Sequence, residues 1–444
     1  MNTLALLSAP IIPSIFRLAA PNMLAMTVML ATSAAEAWYV GQLGTGALAG
    51  LALAFPMFML MTMMSAGAMG GAVAGAVAQA LGADNRDHAE RLAMHAIFIA
   101  LVAGGLFSLV FLTLGPSIYG LLGGSGQVLQ EALAFSNILF AGCVSIWLLN
   151  FLSSVVRGCG HMRAAATIMI VTSFSQIGLG ALLVFGWGPV PELGISGAAL
   201  AAVLGASFGS LLLVLFLMSA KSAVRLNLKG ISFRRSEFAH LLRPGLLACV
   251  SPLSSVGSAI VITALVARLG PEILAGYGIG VRLEFLLIPI IFGIGAALIT
   301  LVGVHFGANE VDRGHRIAWT GAFGAALVTG FIGGLLAVFP DLWANLFTDV
   351  EAVREACRLY LKIAGPTYGF FGLGLSLYFA SQGARRLFWP VAAGAFRLFV
   401  VSVGGAILIY YWGPTIENVY ALAAFGMITL GVTIAVAVKL GAWR

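Results

Sequence analysis

Two carboxylates sit where lipid should exclude them. Of sixteen acidic residues, only Glu36 and Glu284 fall well inside long apolar runs. A charged side chain at mid-bilayer costs about 3 kcal/mol on insertion scales, so such a group faces a cavity, pairs with a base or takes up a proton. Each could therefore exchange a proton or lend oxygens to a small cation. Glu36 is five residues from Gly41, roughly 7 Å below the nearer end of its span at 1.5 Å per residue. Glu284 lies deeper, roughly 18 Å in by the same rise, close to a midplane site. Tyr39 shares a helix face with Glu36, one turn away. Arg282, two residues from Glu284, points to another face. Arg397 could reach Glu284 as a partner or snorkel toward the membrane surface. Gln176 and Tyr277 complete the polar candidates for a substrate cavity.

The elements that must position these groups follow from composition. Hydrophobic residues make up 61% of the chain and charged residues 9%, far below the roughly 25% charged content of soluble domains. The apolar runs lack the alternation of a transmembrane barrel and are long enough to cross about 30 Å of hydrocarbon as helices. Twelve spans are expected, near 19–40, 50–80, 93–114, 132–156, 165–187, 195–219, 245–267, 273–305, 317–339, 357–381, 390–411 and 419–438. The sequence is also written twice. Leu43-Gly44 and Gly50 recur as Leu269-Gly270 and Gly276, Gly158 recurs as Gly383, and Trp187-Gly188-Pro189 recurs as Trp412-Gly413-Pro414, at spacings of 225 or 226. An even number of spans per copy makes the repeats parallel, as in secondary transporters. The expected fold is all-α and integral to the membrane, with two six-helix repeats around a central cavity. Residues 1–220 form an N-lobe, 221–243 a polar cytoplasmic linker and 244–444 a C-lobe.

Lys and Arg set the orientation, because cytoplasmic loops retain them. Arg17, Arg86, Arg91, Arg157, Arg163, Arg313, Arg316, Arg385 and Arg386 mark one side, with Lys221, Arg225, Lys229, Arg234, Arg235 and Arg243 in the linker and Lys439 and Arg444 in the tail. Both termini are expected in the cytoplasm. The net charge of +7 thus reflects topology, and no nucleic-acid partner is expected. Cys143, Cys159, Cys249 and Cys357 lack CxxC spacing, which argues against a disulfide or metal role. No removable signal peptide is expected at the N-terminus. An integral membrane enzyme would need a converging catalytic set. The six histidines, His88, His95, His161, His240, His305 and His315, cluster at helix ends without ligand spacing. The chain is read as a non-enzyme without a cofactor.

Several motifs carry a resemblance. Glu36-Ala37-Trp38-Tyr39-Val40-Gly41-Gln42-Leu43-Gly44, Arg157-Gly158-Cys159-Gly160, Pro191 through Ala199, Arg282-Leu283-Glu284 and Gln382-Gly383-Ala384 together resemble the multidrug and toxic compound extrusion (MATE) family, in its bacterial form. The resemblance spans nearly the whole chain. It implies a cation-coupled antiporter exporting amphiphilic, often cationic, drugs or metabolites by alternating access, without an ATP site. No Walker-type glycine loop is present. The chain also departs from the family pattern. Where family members place ion ligands in helices 5 and 6, it has Gln176, Gly180 and Ala202, and where other branches carry an acid in helix 7 or 10 it has Ser255 and Phe371. With so few oxygens left, H+ is favoured over Na+ as the coupling ion. Met57, Met59, Met61, Met63, Met64 and Met69 beside Trp38, Tyr39, Phe55 and Phe58 suit a promiscuous surface, and equally suit plain helix packing. The expected partners are a small amphiphile and membrane lipid. A monomer in the bacterial plasma (inner) membrane is expected. The competing reading, a flippase for lipid-linked saccharides with the same two-lobe architecture, would want several cavity cations, and only Arg282 and Arg397 are available.

Overall fold

Lipid leaves a backbone amide no partner but another backbone group, so apolar runs of this length fold as helices. A computed structural model describes residues 3–226 and 233–443; Lys229 and Arg444, counted above for orientation, lie outside the described residues. After a short helical stretch at Thr3–Ser8, the helices are α1 (Ile11–Gln42), α2 (Thr45–Gly82), α3 (Arg86–Leu121), α4 (Gly126–Ala141), α5 (Cys143–Gly158), α6 (Met162–Phe185) and α7 (Ile195–Met218) in the first half. The second half has α8 (Arg235–Ala267), α9 (Pro271–Gly307), α10 (Val311–Val338), the short α11 (Asp341–Ala344), α12 (Glu351–Ala364), α13 (Tyr368–Ala384), α14 (Phe388–Ile407) and α15 (Ile416–Lys439).

Among the described residues, ten helices are each long and apolar enough to cross a membrane, and α4 with α5, bent by 53°, makes up to eleven. The bend falls at Gly142, where a β-carbon would lie 2.2 Å from Val203 Cγ1. The span expected at 357–381 is divided the same way. Gly365–Thr367 forms a 3₁₀ turn between α12 and α13, of 14 and 17 residues, each short of the roughly 20 needed to cross alone. Gly142 and Thr367 are 225 residues apart, so both breaks sit at one repeat position.

Close packing repeats as well. A β-carbon at Gly158 would lie 2.6 Å from the Ala74 carbonyl oxygen, and one at Gly383 would lie 2.5 Å from that of Ile299. Gly50 meets Glu131 Cβ at 2.5 Å and Gly276 meets Ala356 Cβ at 2.6 Å on the same construction. Every contact partner is displaced by 225 residues. Only glycine allows helices this close. The long α2 and α9 are also both interrupted near one position: α2 by a π-helical stretch over Met63–Met69, α9 by Pro289. Either device weakens the i→i−4 ladder locally. Asn150 Nδ2 donates to Ser65 Oγ at 2.7 Å, tying the π stretch to α5.

The chain divides into two compact units. One is built mainly from Pro21–Gly245, the other from Leu6–Ala20 and Leu246–Arg444. The start of α1 therefore belongs to the second unit and the start of α8 to the first. The changeovers, at 20/21 and 245/246, are again 225 residues apart. In the first unit, His88 Nε2 lies 3.0 Å from Glu237 Oε2 and Arg91 Nε 3.5 Å from Glu237 Oε1. His95 accepts from the Arg234 amide at 3.1 Å. In the second unit, Arg313, at the repeat position of His88, donates to the Ala9 carbonyl at 2.8 Å.

Candidate functional site

Each unit holds one of the two membrane-buried acids, in a different setting. In the first unit Glu36, Thr32, Tyr39 and Gln176 line a small cavity with Gly180 and Ala201, and it has room for about one water molecule. α1 contributes Thr32, Glu36 and Tyr39 at four- and three-residue steps, which place them along one helix face. Tyr39 Oη donates to the Ile177 carbonyl at 3.2 Å, and its ring meets Trp38 and Phe185 edge to face at 5.6 and 5.8 Å. A β-carbon at Gly180 would lie 3.2 Å from that ring. Tyr39 thus fills the space a larger side chain on α6 would need, which accounts physically for the glycine there. Glu36 has no hydrogen bond to any described residue. Its available neighbours are one hydroxyl, one amide and one phenol, a sparse oxygen set for a metal cation and sufficient for a proton and a water.

In the second unit Glu284 of α9 accepts a hydrogen bond from Tyr360 Oη of α12. Tyr277 packs edge to face on Tyr360 at 5.2 Å and stacks on Tyr420 at 6.2 Å, while Tyr360 and Tyr420 meet at 5.1 Å. Tyr368 lies close behind Glu284. Arg397 of α14 is near enough to act electrostatically on Glu284, and Gly426 of α15 packs against its side chain. The cluster brings together Tyr277, Glu284 and Arg397. Arg282 stands apart: it is exposed, with its guanidinium 5.5 Å from the centroid of Phe347. The Phe347 loop is held by Trp343 Nε1, which donates to the Ile279 carbonyl at 2.9 Å, and by Arg358 to Asp341 at 2.6 Å.

The sequence reading missed Thr32, Tyr360, Tyr368 and Tyr420. Comparison of the two copies position by position carried the signal. Tyr360, Tyr368 and Tyr420 stand opposite Phe135, Cys143 and Ile195, so polar groups replace apolar ones on the same scaffold. Thr32 is one turn before Glu36 on the same face.

A duplicated helical membrane protein with one acid inside a membrane span of each unit has the architecture of a secondary transporter. The chain belongs to the MatE family: the family profile matches residues 21–182 and again 248–408. The two matches begin close to the points where the units exchange segments. Among relatives, it is 25% identical over 412 residues to a protein of Shewanella oneidensis described as an FAD transporter, covering 91% of this chain and 90% of that protein. It is 23% identical over 384 residues to the probable multidrug resistance protein NorM of Thermotoga maritima, covering 85% and 81%. A solved MOP-superfamily transporter from Pyrococcus furiosus superposes with a TM-score of 0.91 at 21% identity, over 100% of this chain and 98% of that one. The all-helical transporter fold follows.

Proposed function

We propose that this protein is a proton-coupled antiporter that exports amphiphilic small molecules by alternating access, with Glu36 as the principal proton-exchanging group and Glu284 as a second. The observation that carries the reading is the Glu36 cavity. A carboxyl with no hydrogen bond to any described residue, in a space for about one water and with few other oxygens, suits a group that gains and loses a proton better than one that desolvates and coordinates Na+. Intramembrane acids are functional by default. The supply of energy is adequate. One charge crossing 100 mV provides about 2.3 kcal/mol, and tenfold accumulation costs about 1.4 kcal/mol. One proton therefore sustains a gradient on the order of 50-fold for an uncharged substrate.

The setting is the plasma membrane of a bacterium, with a monomer as the working unit and both termini in the cytoplasm, as the distribution of Lys and Arg supports. Relatives described as multidrug resistance proteins support a chemically broad substrate. Membership of the MatE family favours export of small molecules over the flipping of lipid-linked saccharides, and so does the position of Arg282 against Phe347. A second reading, export of a nucleotide such as FAD, is favoured by the Shewanella relative. The test is substrate exchange in proteoliposomes with the pH and sodium gradients varied separately. Exchange that follows sodium and ignores pH would discard proton coupling.

A further inference from the structure

The cluster in the second unit holds more hydrogen-bond donors than acceptors. Tyr360 already donates to Glu284. The hydroxyl of Tyr420 and the Nε of Arg397 are buried without a hydrogen-bond partner, while Tyr368 is turned toward Glu284 and Tyr360. Arg397 makes no hydrogen bond or salt bridge with any described residue, although its charge reaches Glu284. A buried guanidinium Nε without an acceptor is costly, and an unsatisfied buried donor calls for an explanation. The side chains of Arg397 and Glu284 are only half-buried, whereas Tyr360, Tyr368 and Tyr420 are fully enclosed behind them. The charged pair therefore has a surface that an incoming group can reach.

The scaffold does not demand this arrangement. At the matching positions of the first unit, Tyr277, Glu284, Tyr360, Tyr368, Arg397 and Tyr420 are replaced by Leu51, Phe58, Phe135, Cys143, Thr172 and Ile195. The same helices pack there with no charge at all. Gly426 packs beside Arg397: a β-carbon on it would meet Nε in ordinary contact at 3.6 Å and Val401 Cγ2 more tightly at 3.0 Å.

We infer that Arg397, backed by the tyrosine hydroxyls, is a recognition site for an oxyanion, a carboxylate or phosphate carried by the transported amphiphile. The inference rests on the exporter reading and extends it to substrate class. Arginine presents its donors in a planar fork that matches such groups in two-pronged fashion, and the rings of Tyr277 and Tyr420 offer faces to an attached aromatic system. Glu284 and the incoming oxyanion share one guanidinium.

The test uses the full-length protein in nanodiscs with two probes that differ only in a phosphate, riboflavin and FMN. Wild type is expected to bind FMN at least tenfold more tightly than riboflavin, with Arg397→Lys keeping part of that ratio and Arg397→Gln bringing it to about one. Should Arg397→Gln fail to fold, Arg397→Lys is read alone and is expected to lower the ratio by removing the planar fork while keeping the charge. Inorganic phosphate at the same concentration as FMN is expected not to displace it, because FMN adds the contacts of its ring. Displacement would assign the site to a free anion and overturn its assignment to substrate. Equal binding of the two probes by wild type, or an FMN preference undiminished in Arg397→Gln, also overturns the proposal. Proton-driven efflux of a cationic dye, measured in parallel, reads the exporter function separately. Its loss with the FMN preference intact would sink coupling without touching the oxyanion site.

Discussion

Tyr360 donates its hydroxyl proton to the carboxylate of Glu284, a residue 76 positions earlier in the chain. The bond joins α12 to α9, and the ring of Tyr360 is packed between those of Tyr277 and Tyr420. In the first unit the matching positions carry Phe135 and Phe58, so what is a polar bond in one unit is apolar packing in the other.

Tyr360→Phe should separate the bond from the packing. The ring stays and only the donor is lost. An intramolecular hydrogen bond contributes about 0.5–1.5 kcal/mol net, so a lowered melting temperature together with several-fold slower exchange is expected. Unchanged values for both would mean that Glu284 draws nothing from Tyr360.

Glu36→Gln keeps the volume of the cavity and removes its titratable proton. Substrate-induced proton movement across proteoliposomes should be abolished, while the protein purifies with wild-type stability. Proton exchange at the normal rate in this variant would remove Glu36 from the coupling mechanism.

Gly158→Ala and Gly383→Ala should cost about the same, roughly 1–3 kcal/mol each from overpacking, because each added methyl meets a carbonyl oxygen at 2.6 or 2.5 Å. Gly178→Ala, with nothing within 4 Å, is the control. It should be neutral or slightly stabilising, since alanine is the better helix former by about 1 kcal/mol. Thermal melting in detergent reads all three, and a well-tolerated Gly158→Ala would count against the close approach of α2 and α5.

Trp443 is buried near the end of the chain, with Nε1 donating to Ser381 Oγ at 3.1 Å and its ring 4.9 Å from that of His315. Trp443→Ala should lose about 3–5 kcal/mol of packing, seen as a lower melting temperature. Equal stability would show the tail to be dispensable.

Much of this was legible in the sequence, for identifiable reasons. Helices, repeat and the two acids follow from hydropathy and spacing, which depend on long averages or on single residues in a nearly charge-free background. Tyr39 and Gln176 were found because they fall near Glu36 in helical register or at a family position. The breaks at Gly142 and Gly365–Thr367 were not foreseen, because an apolar run conceals a bend that depends on which neighbour packs against it, here Val203 and Gly333. The Glu284 cluster was only half seen. Its tyrosines come from α12, α13 and α15, separated widely in sequence, and no local pattern announces that they converge.

The changeovers at 20/21 and 245/246 also bear on ancestry. Each half of the chain lends its opening turns to the other, the pattern that results when two identical six-helix chains trade their leading arms. Joining such a pair end to end would turn an exchange between twins into one within a molecule.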